Sequence, residues 1–402
     1  MNAELFRWAR ETSGLSADQA VNALGLKDVE RLHDIEAGRQ EPSRPLLLKM
    51  AKQYRRPLVT FYLPAPPRKG DRGEDFRTLP RDRSLADEAL LDALIRDVKA
   101  RQAVVRSLTE DDDEAEPLPF IGSCSMQDGA SAVLESIKTT LRLDLSEYRQ
   151  QKTSEEAFSY LRQKAEAAGI FVLLRGNLGT HHSAIAVESF RGFAIADRFA
   201  PFIVINDQDA KTAWSFTLLH EITHLWLGTT GISGSNIEQT IERFCNEVAS
   251  GFLLPHGELR ELAGLRITND TPRNEMIQRL SNFAGTRHLS RRMVAYALFR
   301  TGVLNHITWN RLDQALHELW HKEKAARKER DKGKDNGPSY YVVMRYHLGR
   351  ALLDLVDRSI GAGNLTPVKA AKVLGVKPRS VYPLLKKPGR IGAAGTTGAR
   401  GQ

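Results

Sequence analysis

Apolar residues recur at helical spacing through the first sixty positions, in short runs broken at Ser13-Gly14, Gly25, Gly38 and Pro42, a pattern that predicts a compact module of short helices. After Tyr62, the stretch Leu63 to Gly73 is rich in Pro, Gly and charge and reads as a linker. From Ser84 to about Leu108 the residues Leu90, Leu91, Leu94, Ile95, Val98 and Val104 fall on one side of a helix, with Ser84 and Glu88 placed for a cap and the acidic run Glu110 to Glu116 ending it. Two further helices are expected, at about Gly129 to Leu141 and Ser154 to Ala168.

The period then shortens. Between Ile170 and Asn206 lie four short apolar runs, at 170–174, 184–187, 192–197 and 201–206, separated by Gly, Asp or Pro, and they predict three or four strands of a small sheet. Ala210 to Leu227, stopped by Gly228, and Ile237 to Leu254, stopped by Pro255, are the next helices. Beyond Val303 the pattern is helical again, interrupted by a loop at Lys334 to Pro338. Helices, then strands, then helices is the signature of an α+β fold. The chain divides into a small all-α module at 1–64, a linker and long helix at 65–118, a central domain with the sheet at 119–303, a helical C-terminal region at 304–388, and a Gly-, Ala- and Thr-rich tail at 389–402 expected to be disordered.

Composition narrows the setting. The two cysteines, Cys124 and Cys245, are far apart and form no disulfide framework, which fits a reducing compartment and a cytoplasmic address. The N-terminus has no charged-then-apolar leader pattern and no apolar run approaches the roughly 18 residues needed to span a bilayer, so a soluble protein without membrane contact is expected. A net charge of +9 permits contact with nucleic acid, yet the excess includes Lys322 to Lys334 and a basic tail that solvation alone would explain.

One short pattern carries chemistry. In His220-Glu221-Ile222-Thr223-His224 the two histidines stand one helical turn apart on the same face, so both imidazoles reach one metal ion while the glutamate projects alongside. Zinc in such a site lowers the pKa of water toward neutrality and polarises a scissile carbonyl, and the glutamate takes the proton from water and hands it to the leaving amine. Leu218, Leu219, Ile222, Leu225 and Trp226 predict that this helix is buried. A catalytic zinc needs a third protein ligand. The downstream helix offers Glu238, Glu242, Cys245 and Glu247; spacing does not choose between Glu238 and Glu242, and Cys245, set among Phe244, Val248 and Phe252, reads as a small buried residue.

Roughly residues 120 to 300 resemble the ImmA/IrrE-type metallopeptidases in four blocks: Phe190 to Asp197, Ala200 to Asn206, Phe216 to His224, and Ile241 to Ala249 followed by Leu253-Leu254-Pro255. The resemblance implies a gluzincin-like zinc peptidase in which His220, His224 and Glu242 hold Zn2+ and Glu221 is the general base; manganese or iron also suits such a ligand set. Asn206 shapes the cleft or forms a turn, the turn being the plainer reading, and His181 and His182 are expected in a surface loop.

The N-terminal module is similar to the Xre/Cro-type helix-turn-helix fused to these peptidases, from Leu5 to Arg10 through Gly14-Leu15-Ser16, Ile35 to Gly38 and Leu47 to Ala51, with Asp75 to Pro80 similar to the linker of such fusions. Its second helix would present Lys27, Arg31 and His33 to DNA. The neighbouring Asp28, Glu30 and Asp34 meet phosphate poorly, so binding DNA and docking a protein partner both stand as readings. Near the other end, Leu365 to Tyr382 reads as an ordinary helical hairpin or as a second helix-turn-helix with Gly375 at its turn. Related enzymes act on transcriptional repressors, which implies site-specific cleavage of a repressor or a toxin/antitoxin-like partner. The competing expectation is a DNA-binding regulator or antitoxin-like protein whose peptidase-like domain senses a ligand or metal.

Overall fold

The computed structural model describes residues 2–67, 85–111, 115–179, 183–229, 236–331 and 339–386. His181 and His182, the Asp75 to Pro80 stretch, Ser84, the loop at Lys334 to Pro338, the tail at 389–402 and the side chain of Glu238 lie outside the described residues.

The N-terminal module is built from α1 (Ala3–Glu11), α2 (Ala17–Leu24), α3 (Val29–Glu36) and α4 (Arg44–Gln53), closed by a 3-10 turn at Leu58–Tyr62. Local chemistry starts and stops each piece. Ser16 and Gln19 form a reciprocal capping box on α2, Asp28 caps α3, and Gly25 ends α2 at φ 65°, a left-handed conformation that a side chain disfavours. The apolar faces meet in one cluster around Phe6, Leu24, Leu32, Ile35, Met50 and Tyr54. Within it the Arg10 guanidinium donates to both carboxylate oxygens of buried Glu36, at 2.6 and 3.0 Å, tying α1 to α3.

The rest of the chain is organised around a three-stranded sheet. Helix α5 (Leu85–Glu110) precedes α6 (Ala130–Leu141), α7 (Leu145–Arg149) and α8 (Ser154–Ala167). Strands β1 (Phe171–Leu174), β2 (Gly192–Ile195) and β3 (Phe202–Ile205) follow, with β3 central, parallel to β1 and antiparallel to β2. The residues 184–187, expected as a fourth strand, are a loop instead, touching Asn177 through a single bridge at Ala184. Their period-two alternation of buried Ile185 and Val187 with exposed Ala184 and Ala186 mimics a strand. The backbone hydrogen bonds go elsewhere: Asn206, fully buried, donates to the carbonyls of Ile185 and Phe190 at 3.2 and 3.0 Å. Asn206 therefore pins the loop that leads into β2, and its side-chain Oδ1 accepts from the Gln208 backbone N–H as a local turn.

Both faces of the sheet are covered, which explains why the strands read as continuous apolar runs. On one face Val172, Leu174, Ala194, Ile203 and Ile205 join a core with α8, α9 (Lys211–Trp226) and α10 (Asn236–Leu253). That core continues through α11 (His256–Ala263), α12 (Arg273–Gly285), α13 (Arg291–Arg300) and the first half of α14 (His306–Asp331). On the other face Phe171, Leu173, Phe193, Ile195, Phe202 and Val204 pack against α5 and against α15 (Tyr340–Leu348), α16 (Arg350–Gly361), α17 (Pro367–Leu374) and α18 (Val381–Leu385). The fold is α+β. At Gly375, φ 64°, the α17–α18 turn lies against Arg101 of α5, whose buried guanidinium donates to the Val373 carbonyl at 3.1 Å. No helix among the described residues is long and apolar enough to cross a membrane.

Candidate metal centre

Helix α9 is buried on almost every side: Trp214, Leu218, Leu219, Ile222, Leu225 and Trp226 all lie in the core, and Trp226 stacks on Phe120 at 4.5 Å while its indole donates to Ser136 Oγ at 3.1 Å. A helix fixed so firmly holds its polar residues in place. His220 and His224 point their Nε2 atoms at each other, 3.2 Å apart, and Glu242 on α10 reaches across to both. Glu242 Oε1 is 3.0 Å from His224 Nε2 and Glu242 Oε2 is 3.2 Å from His220 Nε2.

The far side of each ring is fixed too. Asn246, one turn after Glu242, accepts through Oδ1 from His220 Nδ1 at 3.0 Å, and Thr229 Oγ1 lies 3.0 Å from His224 Nδ1 while its hydroxyl donates to the His224 carbonyl. These contacts hold each ring through its Nδ1 side and turn both Nε2 atoms toward Glu242. Burial would raise the Glu242 carboxyl, but its contacts with His220 and His224 overcome that and hold it well below the usual range, so it is ionised. Burial lowers His224, keeping that imidazole neutral. Two imidazoles and a carboxylate on a common point, with the far nitrogen of each ring hydrogen-bonded, are the donor set of a His-His-Glu zinc site, and the residues fit the ion.

Glu221 stands beside this group, buried, with Oε2 lacking any hydrogen-bond partner in the protein. Burial pushes its carboxyl up to about 8, with His220 opposing and Glu242 adding to the shift. An orphaned buried carboxylate oxygen is costly unless something binds there, which marks this atom as facing a ligand. Room for Glu221 comes from β2: a Cβ on Gly192 would sit 2.6 Å from Thr217 Cγ2 and 3.0 Å from Glu221 Oε1.

Of the other ligand candidates, Cys245 is fully buried with its thiol pushed well up, first by burial and then by Glu242 and Glu221, and Glu247 is exposed. Neither joins the cluster. Lys27, Arg31 and His33 are all exposed on or just before α3, on the side away from the apolar cluster that buries Leu32 and Ile35. Asn246, Thr229 and Gly192 were not readable as site residues, because each acts on a partner supplied by folding.

Residues 166–298 match the Peptidase_M78 family model, the IrrE N-terminal-like domain. The matched span begins in α8 and ends in α13, so it holds the sheet, both metal-site helices and all of His220, Glu221, His224 and Glu242. Residues 3–60 match a helix-turn-helix domain model, spanning α1 to the 3-10 turn. The chain thus carries a metallopeptidase-like domain behind a helix-turn-helix module, the fusion that its sequence resembles. Comparison with curated proteins and with solved structures gave no match.

Proposed function

We propose that this chain is a zinc-dependent endopeptidase that makes regulatory cuts in a protein partner, a transcriptional repressor or a toxin/antitoxin-like regulator, with the N-terminal module engaging that partner or the DNA it occupies. The observation that carries the reading is the convergence of His220, His224 and Glu242 beside a buried glutamate with an unpaired oxygen. A zinc ion held there supplies Lewis acidity toward a peptide carbonyl and toward water. The chain's own residues do the rest. Glu221 takes a proton from the water whose oxygen attacks the carbonyl carbon, and delivers it to the amide nitrogen as the C–N bond breaks. Asn246 and Thr229 keep the two imidazoles in one tautomer.

Strand β2 supports a peptide substrate. It pairs only with β3 among the described strands, and its Gly192 lies against Glu221, so an extended segment adding along the free edge of β2 would bring its backbone past the general base.

Elemental analysis of purified wild type beside His224→Ala and Glu242→Ala, with cleavage assays on Glu221→Gln, tests the reading. The expected result is zinc bound by wild type, weakened in both ligand variants, and retained by Glu221→Gln with cleavage of the partner abolished. Unchanged cleavage by Glu221→Gln would overturn it. Sequence-specific promoter binding by the full chain with no proteolysis of any partner would instead favour the regulator that senses a ligand or metal, the reading that the helix-turn-helix match supports.

A further inference from the structure

The histidine spacing of the buried centre occurs a second time, on α14, as His317-Glu318-Leu319-Trp320-His321. Here too the imidazoles stand one turn apart and converge, with Nε2 atoms 3.0 Å from each other and ring centroids at 4.4 Å. A carboxylate joins them from elsewhere in the chain: a Glu188 oxygen and one nitrogen of each ring lie within 4.8 Å of one another. An imidazole-to-imidazole hydrogen bond would account for the pair, but not for the arrival of a third donor from a loop far away in sequence.

The supports of this cluster are rigid. Glu188 sits between Ile185 and Phe190, the two residues whose carbonyls buried Asn206 holds, and its neighbours Val187 and Ser189 are buried, so its side chain is directed outward from a fixed loop. Helix α14 is anchored by Leu312 and Leu316 in the core, by the Arg291–Glu323 ion pair at 2.7 Å, and by Lys324, which donates to the Gln208 carbonyl at 2.9 Å next to the same loop. The donors are thus brought together by packing that does not depend on an ion, the preorganisation a metal site needs.

We propose that Glu188, His317 and His321 form a second site for a divalent transition-metal ion of the zinc class, separate from the His220–His224–Glu242 centre. Two imidazoles and one carboxylate are borderline donors suited to such an ion, with water completing the coordination at an exposed position. The site binds without hydrolysing. Glu318, the residue in the place that Glu221 holds in the buried motif, is exposed and accepts a hydrogen bond from Gln314 at 3.2 Å along its own helix, and the three donors themselves are exposed. An ion there would clamp the projecting half of α14 to the loop that runs into Gly192 and the wall of the buried centre. The proposal is independent of peptidase activity.

The test is zinc titration by calorimetry on the full chain after chelation, with wild type, His317→Gln/His321→Gln, Glu188→Gln and His224→Ala compared, and thermal melts of each variant to establish that it is folded. Wild type is expected to take up two equivalents, His317→Gln/His321→Gln and His224→Ala one each, and Glu188→Gln to weaken one of the two isotherms by roughly tenfold or more. A single equivalent in wild type that vanishes in His224→Ala would overturn the second site. So would two equivalents that survive loss of both surface histidines, or a Glu188→Gln isotherm identical to wild type. One equivalent that persists in His224→Ala and vanishes in His317→Gln/His321→Gln would uphold it while sinking the buried zinc centre.

Discussion

Gly192 is the residue on which Glu221, the proposed general base, depends for room. A methyl group there meets Thr217 Cγ2, Glu221 Oε1 and the Val204 carbonyl at 2.6, 3.0 and 3.1 Å, and none of these yields easily, since Thr217 and Glu221 are buried on α9 and Val204 is in the central strand. Gly192→Ala is expected to cost about 1–3 kcal/mol of stability through overpacking and to lower cleavage further by displacing Glu221, while zinc content holds. A variant with wild-type turnover would show that Glu221 has slack. Asn246 acts through His220 in the same indirect way. Asn246→Ala removes the acceptor that fixes the ring, and zinc affinity should fall about 10–100-fold in a competition titration, with the fold unchanged. His220, Glu221 and His224 were legible because one helix carries them at a fixed spacing. Glu242 needed a family likeness to separate it from Glu238, since its distance to the histidines is set by how α9 packs on α10. Asn246, Thr229 and Gly192 have no local signature at all.

Elements were readable where burial has a single period. The helices α9 and α10 fall within a residue or two of their expected bounds, and the three strands lie inside three of the four expected runs. The fourth run failed because alternation of buried and exposed positions needs only a chain lying flat on the core, and a side chain can take the place of a neighbouring strand. Asn206 does that. Asn206→Ala leaves the buried carbonyls of Ile185 and Phe190 without its donor, and the expected loss is about 1–3 kcal/mol in denaturant unfolding, with the 183–190 loop becoming susceptible to proteolysis in the folded protein. Unchanged stability and unchanged cleavage of that loop would mean that Asn206 is only a turn residue. The α17–α18 hairpin shows the same limit of local reading. Its turn glycine was evident, but not that buried Arg101, from a helix far earlier in the chain, holds the turn against the core.

At the scale of the whole molecule, the sheet joins parts that the linear pattern sets apart. Helical periodicity in 85–110 and in 340–385 predicts elements with apolar stripes but not what those stripes cover, and the structure places both on the face of the sheet turned away from the candidate metal centre. Phe171, Leu173, Phe193, Ile195, Phe202 and Val204 are buried there, yet the family match spans only 166–298 and contains neither cover. Each such side chain is worth about 1.5–3 kcal/mol when fully buried, so the six together represent on the order of 10 kcal/mol, comparable to the roughly 5–15 kcal/mol by which a typical domain is stable. Truncation after residue 338 removes α15 to α18 and leaves α5, with Ile185 and Phe190 of the 183–190 loop, over that face among the described residues. The shortened chain is expected to lose cooperative thermal unfolding and to bind a hydrophobic dye, and to lose zinc as well, because Gly192 and the α9–α10 pair are braced on the same three strands. If the truncated chain instead melts cooperatively and keeps its zinc, then α15 to α18 are an appendage on an independently stable metallopeptidase-like unit, and the sheet's second face is satisfied by α5 and the 183–190 loop.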